Sequence, residues 1–386
     1  MKTSTLIALA AVSALTLAGC TAEEAPTNAE NTETETSPSS DVEVTTLSVT
    51  TTVLGSVVDQ MVACVDDPAY QVEVLMPLGV DPHDYQPSSA QLATIAESGV
   101  VIANGLTLEE SLVGPLEELE AEGGVVYRLA EMADPLPFAD DDHAGEEDGH
   151  DEHAHDEHGE EEHAHDEHGE EEHAHDEHGE DEHGEEKHSE EKHEEEGADG
   201  HDGHDHGHDH GEFDPHFWMD MDRVANATEL LGSELQATFG GDFESCAVEV
   251  AQSIRDAEAE VIDTLSVIPD EKRVVVTDHE VMGYFAERYN FDIAGVLIEG
   301  GSTLAEPSSQ ELAALITEIE ARGLTTLFGN YHVPSDLLES IASESGGDVQ
   351  VVPLYLGSIG EPESEFGTYQ DMMRANARAM ASALGS

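Results

Sequence analysis

The chain is expected to fold as an α/β protein of two lobes, each a mainly parallel sheet flanked by helices, joined by a long backbone helix. Three observations predict this. Strand-like apolar runs alternate with helix-like ones twice, over residues 44–139 and again over 271–386. Between the blocks, in 213–270, lies one long amphipathic segment, "SCAVEVAQSIRDAEAEVIDTLSVI". The first block is cut off by residues 140–212, which hold almost no apolar side chain larger than alanine. Such a stretch cannot offset the ordering entropy of its own backbone and is expected to be disordered.

The first lobe opens with "VEVTTLSVTTTVLGSVVDQMVA", a β-rich run followed by Val53, Leu54, Val57, Val58 and Met61 at helical spacing. "QVEVLMP" reads as a second strand, and "LGVDPHDYQPSS" carries turn signals. "SSAQLATIAESG" is a helix capped by serine and closed by Gly99. "VVIANG" is a third strand, "LEESLVGPLEELEAEG" a helix, and "VVYRLAEM" a fourth strand with its exit. In the second lobe, strands "RVVVTDH", "IAGVLIE", "TTLFGN" and "VQVVPLYLG" alternate with helices, and a last helix starts at Tyr369. Alternation of this kind implies a parallel sheet with right-handed crossovers.

The N-terminus, "MKTSTLIALAAVSALTLAGC", places a lysine before an apolar run of signal-peptide length. It ends on Leu17-Ala18-Gly19-Cys20, which resembles a bacterial lipobox; a plain secretory signal with an incidental cysteine is the competing reading. On the first reading 1–19 is removed and the mature chain is tethered to a membrane through acylated Cys20. Residues 20–43 then form a solvated tether. Two cysteines remain, Cys64 and Cys246. In an oxidising compartment they either pair or stay as two separately buried thiols.

Twelve Lys and Arg stand against 88 Asp and Glu, a formal charge of −76. Residues 140–212 account for −33 of it and the rest for −43. A field of this sign repels phosphate, which makes nucleic acid and anionic membrane surfaces poor partners and favours cations. An acidic surface that merely keeps the protein soluble reads the same way.

Nineteen of the 23 histidines lie between His143 and His210, many in a decapeptide repeat running from His153 to His188. Four remain for the folded part: His83, His216, His279 and His332. His83 and His216 share a context, "DPHDY" and "DPHFW", in which Asp-Pro sets a tight turn that presents the imidazole. His279 stands where the strand "VVVTDH" ends, the place where ligands gather in open α/β sheets.

The segments "VLMPLGVDPHDYQPSSAQLATIAESGVVIANGLTLE", "DPHFWMD", "TDHEVMGYFAERYN" and "TYQDMMRANARAM" resemble the signature segments of the zinc/manganese solute-binding lipoproteins of ABC transporters. The resemblance covers Val44 to the C-terminus apart from the insertion. It implies two α/β lobes bridged by a rigid helix and one metal ion chelated in the cleft by His83, His216 and His279. It also accounts for a His- and acid-rich loop just before the second ligand motif. One departure stands out. Many members supply a fourth ligand, an aspartate, from a "LYxDSxG"-like stretch; here the stretch is "LYLGSIG" and the position falls at Gly357. Water, a nearby acid or His332 is left to take that place, and His332 is the residue singled out.

Three or four neutral imidazoles suit tetrahedral zinc, whereas manganese prefers oxygen and a higher coordination number. Zn2+ is therefore the expected ligand, with Mn2+ second. Asp84 and Asp278, next to His83 and His279, are expected to orient the rings. An enzyme is not expected: "HEVMG" has Gly283 where HExxH needs its second histidine, and neither GxSxG nor a phosphate-binding glycine loop is present. Three histidines on zinc with an open position leave a metal-dependent hydrolase as a distant alternative. The repeat offers many weak, interchangeable chelates without a preorganised shell, so it reads as an accessory that gathers zinc for a site elsewhere. The sequence thus points to a monomeric, lipid-anchored, extracytoplasmic zinc-binding component serving an ABC permease and its ATPase. A manganese-binding homologue, an extracellular metal buffer or a metal-dependent adhesin on the same fold are the alternatives.

Overall fold

Eight strands alternate with ten helices in a computed structural model, which describes residues 44–138, 212–300, 303, 305–346 and 348–385. The leader 1–19, Cys20, the tether 20–43 and the repeat-bearing insertion lie outside these residues, apart from Glu212 at the insertion's end. In chain order the first lobe contains β1 (Thr45–Val49), α1 (Thr52–Val65), β2 (Tyr70–Val74), α2 (Ser89–Ser98), β3 (Val100–Ala103), α3 (Val113–Ala121), β4 (Val125–Arg128) and α4 (Leu129–Met132). Two long helices follow, α5 (Met221–Phe239) and α6 (Phe243–Leu265). The second lobe contains β5 (Val274–His279), α7 (Gly283–Tyr289), β6 (Asp292–Ile298), α8 (Ser309–Arg322), β7 (Thr326–Asn330), α9 (Asp336–Glu344), β8 (Gln350–Leu354) and α10 (Tyr369–Leu384).

The two sheets repeat one topology. The first runs β2-β1-β3-β4 and the second β6-β5-β7-β8, with every pairing parallel. Each is covered on both faces, as parallel sheets require. Along β3, Val100 and Ile102 enter a central core shared with α1 and α6, while Val101 and Ala103 enter an outer core with Ile95 and Leu116. The second sheet does the same, with Val275 and Phe328 in the central core and Val276 and Leu327 beneath α8 and α9. The α/β two-lobe expectation is met, and β7 lies between β5 and β8 as the strand order demands.

Helix ends follow the sequence signals. Ser88 and Ser308 each form a capping box with the residue three further on, Gln91 and Glu311, and Gly99 and Gly323 close those helices in left-handed conformation. The helix expected over "LEESLVGPLEELEAEG" begins as a 3-10 turn, Glu110–Leu112, and becomes α-helical only from Val113. Pro115 falls in that first turn, where a missing N–H costs nothing.

The sequence predicts one linking helix; the structure has two. The apolar stripe of α5 contains Ala225, Ala227 and Gly232 beside Val224, Leu231 and Leu235, so its periodicity is faint in sequence. Gly240 and Gly241, at φ 75° and 77°, turn the chain back into α6. Helix α6 then packs on α5, α10 and α1, which makes it the spine of the unit spanning Val44–Ser386.

Cys64 of α1 and Cys246 of α6 form a disulfide, with Cα atoms 5.6 Å apart and a sequence separation of 182. Of the two readings left open by the sequence, pairing is the one realised. Closing so long a loop removes unfolded-state entropy worth about 5 kcal/mol in the chain-entropy account. Reduction, or Cys64→Ser, should lower the melting temperature by roughly 5–10 °C. An unchanged transition in the presence of reductant would contradict this.

Candidate metal centre

Two loops and a strand end bring the three buried histidines together. His83 lies on the loop after β2, His216 on the turn before α5, and His279 is the last residue of β5. They are 3 %, 1 % and 5 % exposed, unusual for a residue that is charged at mild acidity. One ligand atom from each lies within 4.8 Å of the other two, and Nε2 of His83 is 3.1 Å from Nε2 of His216. A tetrahedral ion at about 2.0–2.1 Å from its nitrogens would hold them about 3.3 Å apart, so the spacing fits one zinc-sized cation. Among the described residues this is the one group of three or more metal-ligating side chains so gathered.

Each histidine is served by a carboxylate from its own turn. In the two DPH motifs the aspartate Oδ1 accepts the histidine backbone N–H, Asp81 from His83 at 3.0 Å and Asp214 from His216 at 2.9 Å. Their remaining interactions differ. Asp214 Oδ1 also pairs with His216 Nδ1 at 2.7 Å, whereas Asp81 Oδ2 accepts from the Thr303 hydroxyl of the second lobe at 2.8 Å. Asp278 Oδ1 pairs with His279 Nδ1 at 2.8 Å, and its Oδ2 accepts the backbone N–H of Asn330 at 2.8 Å. Such pairing at Nδ1 aims the Nε2 of His216 and His279 at a common point. Asp278 therefore fulfils the role expected of it. Asp84 does not: it is exposed, and the carboxylate on the His83 turn is Asp81, two residues before the ring.

Sequence reasoning missed Asp214, although the matching DPH context was its signal. Gly283 is a glycine for a related reason: a Cβ there would stand 2.7 Å from Asp214 Oδ2. Trp218 closes the other side of His216, with ring centroids 5.2 Å apart, and its Nε1 donates to the Leu356 carbonyl at 2.7 Å.

His332 does not join the three. Its ring packs on Gly79, Tyr331 and Tyr355; a Cβ on Gly79 would stand 2.9 Å from its Cδ2. Its backbone N–H donates to the Asn330 side chain at 3.1 Å. His332 lies outside the group of three whose ligand atoms come within 4.8 Å of one another. Gly357 lies against the His83 turn, where a Cβ would meet Pro82 Cδ at 3.3 Å.

The electrostatics split the histidines. Burial, then the charge of His279, holds the His216 pKa well below the ordinary 6.5. At His279 burial acts in the same direction, but the hydrogen bond and charge of Asp278, with the charges of Asp81 and Asp214, outweigh it and raise the pKa. Burial pushes Asp214 up to about 7, against the pull of the His216 N–H and the His279 charge. In metal-free protein His279 therefore takes up a proton before His216 does.

Two compact α/β lobes with a buried, carboxylate-braced histidine cluster define a metal-binding solute-binding protein. The chain belongs to the periplasmic zinc-uptake complex component A (ZnuA) family, which it matches over residues 48–383. That family provides binding components of ABC importers, not enzymes. It is 28 % identical over 180 residues to the zinc-binding protein TroA of Treponema pallidum, covering 45 % of this chain and 58 % of that protein. It is 22 % identical over 379 residues to the manganese-binding lipoprotein MntA of Halalkalibacterium halodurans, covering 97 % and 96 %. The solved structure of Treponema pallidum TroA superposes with a TM-score of 0.62 at 20 % identity, covering 88 % of this chain and 99 % of that one. No helix among the described residues is long and apolar enough to cross a membrane.

Nuclear magnetic resonance of the metal-free protein should show His279 titrating above 6.5 and His216 staying neutral well below it. The reverse order would contradict the assignment of the cluster's proton.

Proposed function

We propose that the chain captures Zn2+ between its lobes through His83, His216 and His279 and delivers it to the permease of an ABC importer. The observation that carries this is the convergence of three buried imidazoles to within 4.8 Å, with no carboxylate in the set. Relatives bear both zinc and manganese in their names, so the choice of ion rests on the donors. Three nitrogens suit a tetrahedral borderline cation, and Mn2+ would need oxygens that this group lacks. The fourth place goes to a solvent molecule, since Gly357 has no donor and His332 packs elsewhere.

The lipobox-like Cys20 anchors the mature chain outside the cytoplasm, and the permease and its ATPase subunit act on a monomer. The His- and acid-rich insertion gathers zinc at high local concentration near the turn that carries His216. It contributes weak sites and no part of the tight one.

Calorimetric zinc titration of the mature chain tests the reading, beside a chain lacking residues 141–210 and a His83→Ala/His216→Ala/His279→Ala triple variant. One tight site is expected to survive the deletion and vanish in the triple variant. Tight binding that follows the insertion and ignores the three histidines would overturn it. Affinity should also fall with pH, because zinc needs neutral imidazoles. With the His279 pKa raised, protons begin to compete above pH 6.5. Affinity flat from pH 8 to 6 would contradict this.

A further inference from the structure

The turn bearing His216 lies beyond residues 139–211 in sequence and is held by contacts from the folded lobes. The Asp214 N–H donates to the Leu136 carbonyl at 2.8 Å, and the Tyr284 hydroxyl donates to the Asp214 carbonyl at 2.8 Å while accepting from the Leu136 N–H at 3.0 Å. These bonds join the two ends of the insertion. The next peptide group along, immediately before His216, is the Pro215 carbonyl, and its donor is Asn104 Nδ2 at 2.9 Å.

Asn104 is 0 % exposed at the end of β3, in the first lobe. Its Oδ1 is buried without a hydrogen-bond partner, so the bonds donated by Nδ2, to Pro215 and at 3.3 Å to the Gly105 carbonyl, orient the amide. Flipping the amide would set oxygen against the Pro215 oxygen. The backbone is pinned as well. Glu109, only 3 % exposed, accepts from the Asn104 N–H at 2.8 Å, the Gly105 N–H at 3.1 Å and the Thr50 hydroxyl at 2.5 Å. A buried carboxylate is costly without such donors.

The loop thus pinned is strained. Gly105, Leu106 and Thr107 have φ of 88°, 50° and 61°, a conformation that costs a leucine or a β-branched threonine free energy. Strain of this kind persists only where the surroundings over-determine it. Here it aims Asn104 at the His216 turn.

We infer that Asn104, held by Glu109 at the foot of this loop, is a further positioning residue for His216, fixing the peptide before that ligand while Asp214 holds its ring. The inference rests on His216 being a metal ligand. Asn104 touches the peptide before His216 and is assigned no contact with the ion.

The test compares Asn104→Leu, Glu109→Gln, His216→Ala and Asn376→Leu in the full chain, with Zn2+ affinity and the visible bands of the Co2+-loaded protein as readouts. Asn376 is a buried amide that brackets Tyr355 in the second lobe, so it controls for loss of a buried hydrogen bond alone. Asn104→Leu should weaken zinc about ten-fold and shift the cobalt bands, and Glu109→Gln should do the same to a smaller extent. Asn376→Leu should lower the melting temperature and leave the bands in place. If the Asn104 and Glu109 variants that fold keep wild-type bands and affinity while His216→Ala loses binding, the inference is wrong. If His216→Ala also binds as wild type does, the metal-site reading itself has failed.

Discussion

The buried pairing of imidazole Nδ1 with carboxylate, at Asp214–His216 and Asp278–His279, is the contact on which the rest depends. Burying a histidine cluster without partners would leave six ring nitrogens in a poorly solvated space, each expensive if unmatched. Giving Nδ1 of two rings to aspartates fixes the tautomer and leaves Nε2 as the lone-pair donor toward a shared point. The same aspartates secure backbone N–H groups, Asp214 that of His216 itself and Asp278 that of Asn330 at the end of β7. Coordination geometry is thereby built before any ion arrives, at the cost of keeping acidic groups where water is scarce.

Asp81 extends this logic across the cleft. It fixes the His83 N–H with one oxygen and takes the Thr303 hydroxyl of the other lobe with the second. The Gly79 N–H donates to Ser358 Oγ at 2.9 Å, and Pro82 packs on Gly357. The His83 turn is therefore clasped by the second lobe at three successive points, which ties the position of one ligand to the approach of the lobes. The spine beneath is stiff: α6 carries a central core common to both sheets and is stapled to α1 by the disulfide.

Much of this was legible in the sequence because it is written in local chemistry. Alternating apolar runs foretold both sheets, serine caps and glycine stops bounded α2 and α8, and two DPH turns with one strand-end histidine marked the cluster. What stayed hidden depends on distance in the chain. Helix α5 buries small residues whose period is weak until packed on α6. His332 lies two residues past the end of β7, yet Gly79 and two tyrosines claim its ring. Asp84 is exposed, whereas Asp214, two residues before His216 in its Asp-Pro turn, pairs with that ring. Asn104 carries no motif of its own, and its partner Pro215 lies 111 residues away.

A crystal structure of the zinc-loaded protein, with anomalous scattering recorded at the zinc edge, tests the central claim most directly. The account predicts one strong peak bonded to nitrogens of His83, His216 and His279 at about 2.0–2.1 Å, with both carboxylate–Nδ1 bonds intact. A peak placed elsewhere, with the three imidazoles unliganded, would contradict it.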